Sequence, residues 1–299
     1  MSVFTPDDYR QRIQELDGLP SLPSVAAEIL ALRREDKLSI NQMLPTIEKD
    51  PPLAMKILKM ANSAFYARRY KVDNLKQAIV TIGLNDLTYL VLSFSIIKSF
   101  VIEGDETYWI NWSDFWRHSV ASAHVAQYLA RNWRLPLHSN PYAMGLLHDV
   151  GKLVLFRLDQ GRFMKTLSDI REQKLSSIEA ERNHFGITHQ EAGLWLSEKW
   201  MMPESIQQAM GFHHQPVACT AEGVRDLVAL IQITDAVCNE YQPNLVDLAL
   251  DGAMEDLQGW QILQPELENP DQTSMEEVWG MVVGELPQID SVLALVKGE

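Results

Sequence analysis

The sequence predicts an all-α fold built from many helices of moderate length. Helix-capping patterns recur along the chain, and apolar residues recur at helical spacing, as in residues 53–61. Asn-Gly or Asp-Gly hairpins between alternating apolar runs are missing. At 46% hydrophobic and 22% charged residues over 299 positions, the composition is that of a soluble globular protein. We therefore expect helices of roughly 10–18 residues joined by short loops.

Local signals give the expected helix boundaries in chain order. Capping boxes, in which a hydroxyl residue precedes Glu or Gln by three positions, occur at Ser39, Ser176 and Thr188. Asp50 and Asn140 each precede proline, which is typical of a helix start, and Pro203 opens another helix. Gly83 follows residues 75–82 and is expected at positive φ, ending that helix.

The chain divides into three predicted parts: a helical lobe over residues 1–104, a second lobe over 105–240 and an extension over 241–299. The apolar run from Leu87 to Ile102 would reach roughly 24 Å as a helix, short of the roughly 30 Å of a bilayer core. It contains Lys98 and several hydroxyl residues. We interpret it as a buried core helix, and expect no membrane association.

Five aromatic residues lie close together in the sequence at the start of the predicted second lobe. We interpret this stretch as core between the lobes, with ligand stacking as the alternative. It comprises Tyr108, Trp109, Trp112, Phe115 and Trp116.

Charge and cysteine content narrow the classes of function. Residues 251–299 carry −10 of the formal net charge of −14, so the remainder is nearly balanced. The absence of a basic excess argues against nucleic acid as a partner. Cys219 and Cys238 form no CxxC pattern, which argues against a disulfide framework and a zinc–thiolate site. No signal-peptide pattern opens the chain. These features predict a cytoplasmic protein.

Histidine and aspartate residues recur on several predicted helices of the second lobe. Imidazole and carboxylate together suit a divalent ion such as Fe, Mn, Ni or Zn, held in the core of a helical bundle. A buried, hydrogen-bonded histidine cluster is the competing interpretation. Lys152, three residues after Asp149, could meet phosphate charge. The candidates are His118, His148, Asp149, His189, His213, His214 and Asp235.

Several stretches resemble the HDOD family of bacterial signalling modules, relatives of the HD and HD-GYP phosphohydrolases. They are LPSLPSVAAEILAL with IEKDPPLAMKILKMANSAFY, then LKQAIVTIGLNDLTYLVL, then HSVASAHVA, GLLHDVGKLVLF and ERNHFGITHQEAGLWLSEKWMMPESIQQAMGFHH. The similarity covers about residues 18–240. It implies a multi-helical, two-lobe HDOD fold whose second lobe is HD-like.

The resemblance also assigns metal-ligand roles. The HD pattern places one ion on His118, His148, Asp149 and Asp235, and the HD-GYP pattern adds His189, His213 and His214 for a second ion. The sequence departs from HD-GYP proteins after His214, where QPVACTAEG replaces their Gly-Tyr-Pro segment. Cyclic-di-GMP hydrolysis of that type is therefore not expected.

Two functions remain open at the level of sequence. The leading hypothesis is a signal-transduction output or adaptor protein that binds signalling proteins, with the HD-like lobe as scaffold or ligand sensor. The alternative is a metal-dependent phosphohydrolase acting on a nucleotide or another phosphate compound, with Asp149 and Lys152 as catalytic residues.

One basic stretch could bind an anionic partner or nucleotide, although solvated surface charge is the simpler interpretation. The acidic extension is a further candidate to pack against it, near Arg68 and Arg69. The stretch comprises Lys56, Lys59, Arg68, Arg69, Lys71 and Lys76.

Overall fold

The computed structural model describes residues 4–63, 66, 71–100, 112–241, 256–268 and 274–285, and these contain helices and no β-strand. The all-α prediction is confirmed. The α-helices in these residues are α1 Pro6–Glu15, α2 Ser24–Arg34, α3 Ile40–Glu48, α4 Pro51–Ala61, α5 Leu75–Ile82, α6 Leu84–Phe100, α7 Trp112–Asn132, α8 Pro141–Leu147, α9 Val150–Leu158, α10 Gln160–Gln173, α11 Ser177–Phe185, α12 His189–Lys199, α13 Glu204–Phe212, α14 Arg225–Tyr241, α15 Gln258–Leu263 and α16 Met275–Glu285.

Most of the predicted helix caps are formed. The side chains of Ser176 and Thr188 close capping boxes at α11 and α12. Asp50 accepts from the Leu53 N–H and Asn140 from the Ala143 N–H. Ser39 is the exception, because the N–H of Gln42 bonds to the Ser39 backbone carbonyl and the Ser39 side chain forms no cap. That capping box was wrongly predicted.

The described residues form two compact units, one of residues 20–100 and one of residues 4–19 and 112–285. In the first unit, α2, α4 and α5 all pack on α6. Helix α6 is buried on nearly every face, as expected for a core helix. No single described helix has both the length and the apolar character of a membrane span; α5 and α6 meet those criteria only together, across a bend of 109°.

The second unit is built around α7 and α14, which pack on each other. Helix α8 lies on α7, α9 packs on α12, and α12 packs on α13. Helix α1, which the sequence analysis placed in the first lobe, packs on α12, and Arg162 donates to the Tyr9 hydroxyl at 3.1 Å. Trp112 lies 4.8 Å from Phe156 between ring centroids, so this part of the aromatic stretch packs inside the unit.

Part of the acidic extension is docked on the second unit. Helix α15 packs on α14, Trp260 lies 6.2 Å from Trp133 between ring centroids, and Glu268 pairs with Arg134 at 2.7 Å. Packing against the body is therefore confirmed for residues 256–268. The contact expected near Arg68 and Arg69 stays a prediction, because both lie outside the described residues.

Candidate metal centre

The second unit brings all seven predicted ligand residues together in two clusters. In each cluster, one ligand atom from every residue lies within 4.8 Å of the corresponding atoms of the others. The first cluster comprises His118, His148, Asp149 and Asp235, and the second comprises His189, His213 and His214.

Helix ends and helix faces place these side chains. His148 ends α8 and Asp149 precedes α9, so the pair occupies the junction between two helices. His118 and Asp235 project from within α7 and α14, which pack on each other. The second cluster combines the first residue of α12, His189, with the pair that directly follows α13, His213 and His214. Residues distant in sequence are thus joined by helix packing.

Backbone carbonyls and a carboxylate orient three of the imidazoles. The Nδ1–H of His148 donates to the Gly145 carbonyl at 2.7 Å, and the Nδ1–H of His213 donates to the Ala209 carbonyl at 2.9 Å. A carbonyl only accepts, so Nδ1 of each ring carries a proton and Nε2 faces the cluster, where it has a lone pair for an ion whenever the ring is neutral. His189 has its Nδ1 within 2.9 Å of both carboxylate oxygens of Glu181.

The spacing of the inward-facing atoms fits a shared cation. His189 Nε2 lies 3.2 Å from His213 Nε2 and 3.1 Å from His214 Nε2. In the first cluster, His118 Nε2 lies 3.0 Å from Asp235 Oδ1. Two ligand atoms about 2.1 Å from one ion lie about 3.0 Å apart in octahedral geometry and about 3.4 Å apart in tetrahedral geometry. Facing lone pairs at these distances repel unless a proton or metal ion lies between them.

Two buried atoms at the junction of the clusters are unsatisfied. His148 Nε2 and Asp149 Oδ1 have no hydrogen-bond partner within the described part of the chain. His148 Nε2 lies 3.5 Å from an oxygen of each first-cluster carboxylate. A buried polar atom left unpaired costs about 1–3 kcal/mol. These atoms, the donor types and the spacing together fit a divalent ion of the Fe, Mn, Ni or Zn class.

Asp149 faces both clusters. Its Oδ2 lies 3.5 Å from His148 Nε2 and 3.9 Å from His118 Nε2. Its Oδ1 lies 3.5 Å from His189 Nε2 and 3.6 Å from His213 Nε2. One carboxylate therefore presents one oxygen to each ligand set, as a bridging ligand between two ions would.

Lys152 is fully buried and lies beside Asp149. Its ammonium donates to Asp149 Oδ2 at 2.7 Å. Although burial raises the pKa of Asp149, the charges of Lys152 and His148 outweigh it and hold that pKa well below its usual range. The structure thus places the Lys152 charge on a ligand carboxylate, where it keeps that carboxylate ionised.

Burial and charge shift further groups around the site. Burial lowers the pKa of His148, but the carboxylates of Asp149 and Asp235 outweigh it and raise that pKa to about 9. Burial and the neighbouring imidazoles hold the pKa of His214 well below its usual value. Burial raises the pKa of Glu181 to about 8, so its ionised form depends on cations in the site, such as Lys152 or a bound ion.

Sequence reasoning did not single out Glu181. Its carboxylate also accepts the backbone N–H of His189 at 2.8 Å. The two residues are eight positions apart, and the turn at Gly186, with φ of 73°, brings them together. No spacing rule for ligands covers such a turn. His184 belongs to neither cluster and pairs with Asp169 at 2.8 Å.

A family model for the HDOD domain matches residues 19–216. The chain belongs to the HDOD domain family. The predicted resemblance is confirmed. Six of the seven cluster residues lie within the matched residues, and Asp235 lies beyond them.

Solved structures share this fold over nearly the whole chain. An HDOD domain protein of unknown function from Geobacter sulfurreducens is 22% identical, with a TM-score of 0.72 over 97% of this chain and 98% of that one. A presumed metal-dependent phosphohydrolase from Shewanella amazonensis SB2B is 17% identical, with a TM-score of 0.65 over 95% of each chain. At these identities the likeness shows the HDOD fold.

One curated relative is an uncharacterised protein from Treponema pallidum. It is 25% identical over an alignment of 209 positions that covers 67% of this chain. The HDOD chain described here spans 38% of the length of that relative.

Proposed function

We propose that this protein is a metal-dependent phosphohydrolase whose second unit binds two divalent ions. The position of Asp149, with one carboxylate oxygen toward each cluster, carries the proposal. Two-metal sites with a shared ligand are typical of enzymes that cleave phosphate esters. The name of the Shewanella relative agrees with this class.

We assign each candidate ligand to one of the two ions according to the cluster in which it lies. The first cluster would hold one ion with two imidazoles and two carboxylates. The second would hold another ion with three imidazoles, and Asp149 would complete both sets. When bound, such ions lower the pKa of a water molecule and neutralise charge on a phosphoryl group.

Residues next to the clusters hold the candidate ligand side chains in the orientation that this chemistry requires. Lys152 keeps Asp149 ionised and fixes its orientation, so we assign it as a positioning residue rather than a phosphate contact. The carbonyls of Gly145 and Ala209 hold the His148 and His213 rings with Nε2 inward. Such outer contacts fix the tautomer of a ligand imidazole and raise its basicity.

The substrate class that fits is a nucleotide or another phosphate compound. After His214 the chain forms a short 3-10 turn over Pro216–Ala218, at the point where HD-GYP proteins carry their Gly-Tyr-Pro segment. Selectivity of the cyclic-di-GMP type therefore has no basis in this part of the chain.

Metal loading followed by elemental analysis and a turnover assay tests the proposal. The protein would be loaded anaerobically with Mn²⁺ or Fe²⁺ and assayed on p-nitrophenyl phosphate, bis-p-nitrophenyl phosphate and nucleotides. We expect two ions per chain and turnover that is lost in His213→Ala. The matched control is His138→Ala, at an exposed histidine outside both clusters. Absence of bound metal under every loading condition would refute the proposal.

The burial of the site supports a second candidate, a signalling output protein in which the metal has a structural role. His148, His189 and His213 are 0% exposed and Asp149 is 1% exposed. A closed ligand set is typical of structural sites, whereas catalytic sites keep an open position. Two bound ions without turnover on any phosphate substrate, combined with metal-dependent binding of a partner protein, would favour this candidate.

A further inference from the structure

A hydrogen-bonded chain connects the C-terminal extension to the second cluster. The backbone N–H of Gly259, in α15, donates to Gln232 Oε1 at 2.6 Å. The Nε2 of the same amide donates to the backbone carbonyl of His214 at 2.8 Å. An N–H can only donate and a carbonyl can only accept, so both bonds form in one orientation of the Gln232 amide alone. The buried Gln232 side chain therefore bridges α15 and His214.

Helix α15 approaches α14 closely enough for this bridge because residue 259 is glycine. A Cβ added at Gly259 would overlap the Ala229 carbonyl oxygen of α14. Trp260 and Leu263 are buried, so α15 is held by apolar packing as well. The N-terminus of α15 is thus fixed at short range from Gln232.

His214 projects from backbone outside a helix, where such support helps to fix its position. Helix α13 ends at Phe212 with His213 as its C-cap, so His214 lies outside the helix. Its ring is half-buried, and its Nε2 lies 3.1 Å from His189 Nε2. The Gln232 bond holds the backbone from which this ring projects.

We propose that Gln232 and Gly259 are positioning residues for the ion of the second cluster, and that the extension thereby completes the metal centre. The inference rests on the proposed two-ion function. Both residues lie beyond residues 19–216, the part matched by the family model. Groups that orient ligand side chains typically contribute ten- to hundredfold to metal affinity.

A Mn²⁺ titration of the full chain tests this role. Electron paramagnetic resonance reports free Mn²⁺, single bound ions and spin-coupled pairs. The test variants are Gly259→Ala, which displaces α15, and Gln232→Met, which keeps a similar side-chain volume and removes both hydrogen bonds. The matched control is Gly280→Ala, because a Cβ at Gly280 meets no atom within 4 Å.

We expect the wild type and Gly280→Ala to bind two ions and give the coupled-pair signal. In both test variants the second ion should bind about ten- to hundredfold more weakly. The first ion should keep its affinity, which also shows that the variants are folded.

Two results would overturn the inference. If both test variants bind two ions with wild-type affinities, the extension has no positioning role, while the two-ion function stands. An equal loss at both clusters would indicate general destabilisation instead of positioning. If the wild type binds no Mn²⁺, the proposed function itself fails.

Discussion

At the residue scale, Asp149 is the group on which both clusters depend. Its carboxylate is buried with His148 on one side and His189 on the other, and Lys152 supplies the neighbouring positive charge. A buried carboxylate is stable only when it is paired, because the loss of hydration costs several kcal/mol. Lys152 and a bound ion would therefore have overlapping roles, because each supplies positive charge next to the Asp149 carboxylate.

This overlap predicts how Lys152→Met behaves. The change leaves the Asp149 carboxylate without its ammonium partner, and we expect a loss of about 3–5 kcal/mol in the free energy of unfolding of the metal-free protein. Saturating Mn²⁺ should recover part of that loss, because the ion replaces the missing charge. Urea unfolding followed by circular dichroism, with and without Mn²⁺, measures both quantities.

The exposed Lys165 on α10 provides the control for that experiment. Lys165→Met should change the free energy of unfolding by about 0.5 kcal/mol or less. An equal loss for Lys152→Met with and without metal would contradict the overlap between the ammonium and the ion.

Glu181 gives a second residue-scale prediction. Its two oxygens accept both the backbone N–H and the Nδ1–H of His189, whereas the amide of Glu181→Gln has one acceptor oxygen. One His189 donor would then face an amide NH₂ group, and the ring would turn from its position. We expect about ten- to hundredfold weaker binding at the second cluster in Mn²⁺ titrations. Glu222→Gln, at an exposed position, should leave affinity unchanged.

The residues of the two clusters could be predicted from the sequence, but the residues that support them could not. Imidazole and carboxylate residues in the HD-like order pointed to all seven residues that the structure brings together, because the chemistry restricts the residue types. Glu181 and Gln232 reach the site through the turn at Gly186 and the docking of α15. Their residue types are common, so only the assembled structure distinguishes them from ordinary surface or core positions.

At the element scale, two glycines set the helix spacing that assembles the site. A Cβ at Gly145 would lie 2.7 Å from backbone atoms of Ala123, where α8 crosses α7. A Cβ at Gly151 would overlap the His189 carbonyl oxygen, where α9 packs on α12. Each added Cβ would meet backbone atoms, so neither overlap could be relieved by rotating a neighbouring side chain. They hold the His148–Asp149 junction against its partners.

Gly151→Ala should therefore separate α9 from α12 and move Asp149 away from His189. We expect destabilisation of about 1–3 kcal/mol, typical of overpacking, and loss of the coupled Mn²⁺ pair. Chemical unfolding and electron paramagnetic resonance measure the two effects.

Gly161→Ala on α10 is the matched control. Its added Cβ would meet Asp159 Oδ1 at an ordinary 3.5 Å. Alanine in place of glycine favours a helix by up to about 1 kcal/mol, so this variant should be neutral or slightly more stable. Wild-type stability and an intact metal pair in Gly151→Ala would show that α9 can shift without disturbing the site.

Helix boundaries were more predictable than helix contacts, for a physical reason. A cap such as Ser176 or Thr188 depends on residues three positions away, and the sequence contains both partners. The contact of α1 with α12 joins residues far apart in the chain, and no local pattern encodes it. The missing side-chain cap at Ser39 shows the same limit, since the backbone N–H of Gln42 donates to the backbone carbonyl of Ser39 instead.

At the scale of the whole molecule, part of the acidic C-terminal segment packs on the unit that contains the candidate metal centre. The formal charge of −10 over residues 251–299 belongs to a segment whose helix α15 is docked on α14. The Arg134–Glu268 pair is exposed and contributes about 0–1 kcal/mol, so apolar packing of Trp260 and Leu263 dominates the docking. Residues 256–268 of the extension are therefore an integral part of the unit that holds the candidate site.

Metal binding should stabilise the two units unequally. All seven candidate metal-binding residues lie in the unit of residues 4–19 and 112–285. An ion that binds only the folded form stabilises it by about 2.7 kcal/mol at 100 times its Kd. Hydrogen exchange with Mn²⁺ and with a chelator should show slower exchange in α7, α12 and α14, and unchanged exchange in α2 and α4. His213→Ala should reduce this response and His138→Ala should keep it. A uniform gain in protection across residues 20–100 would contradict a centre that acts within one unit.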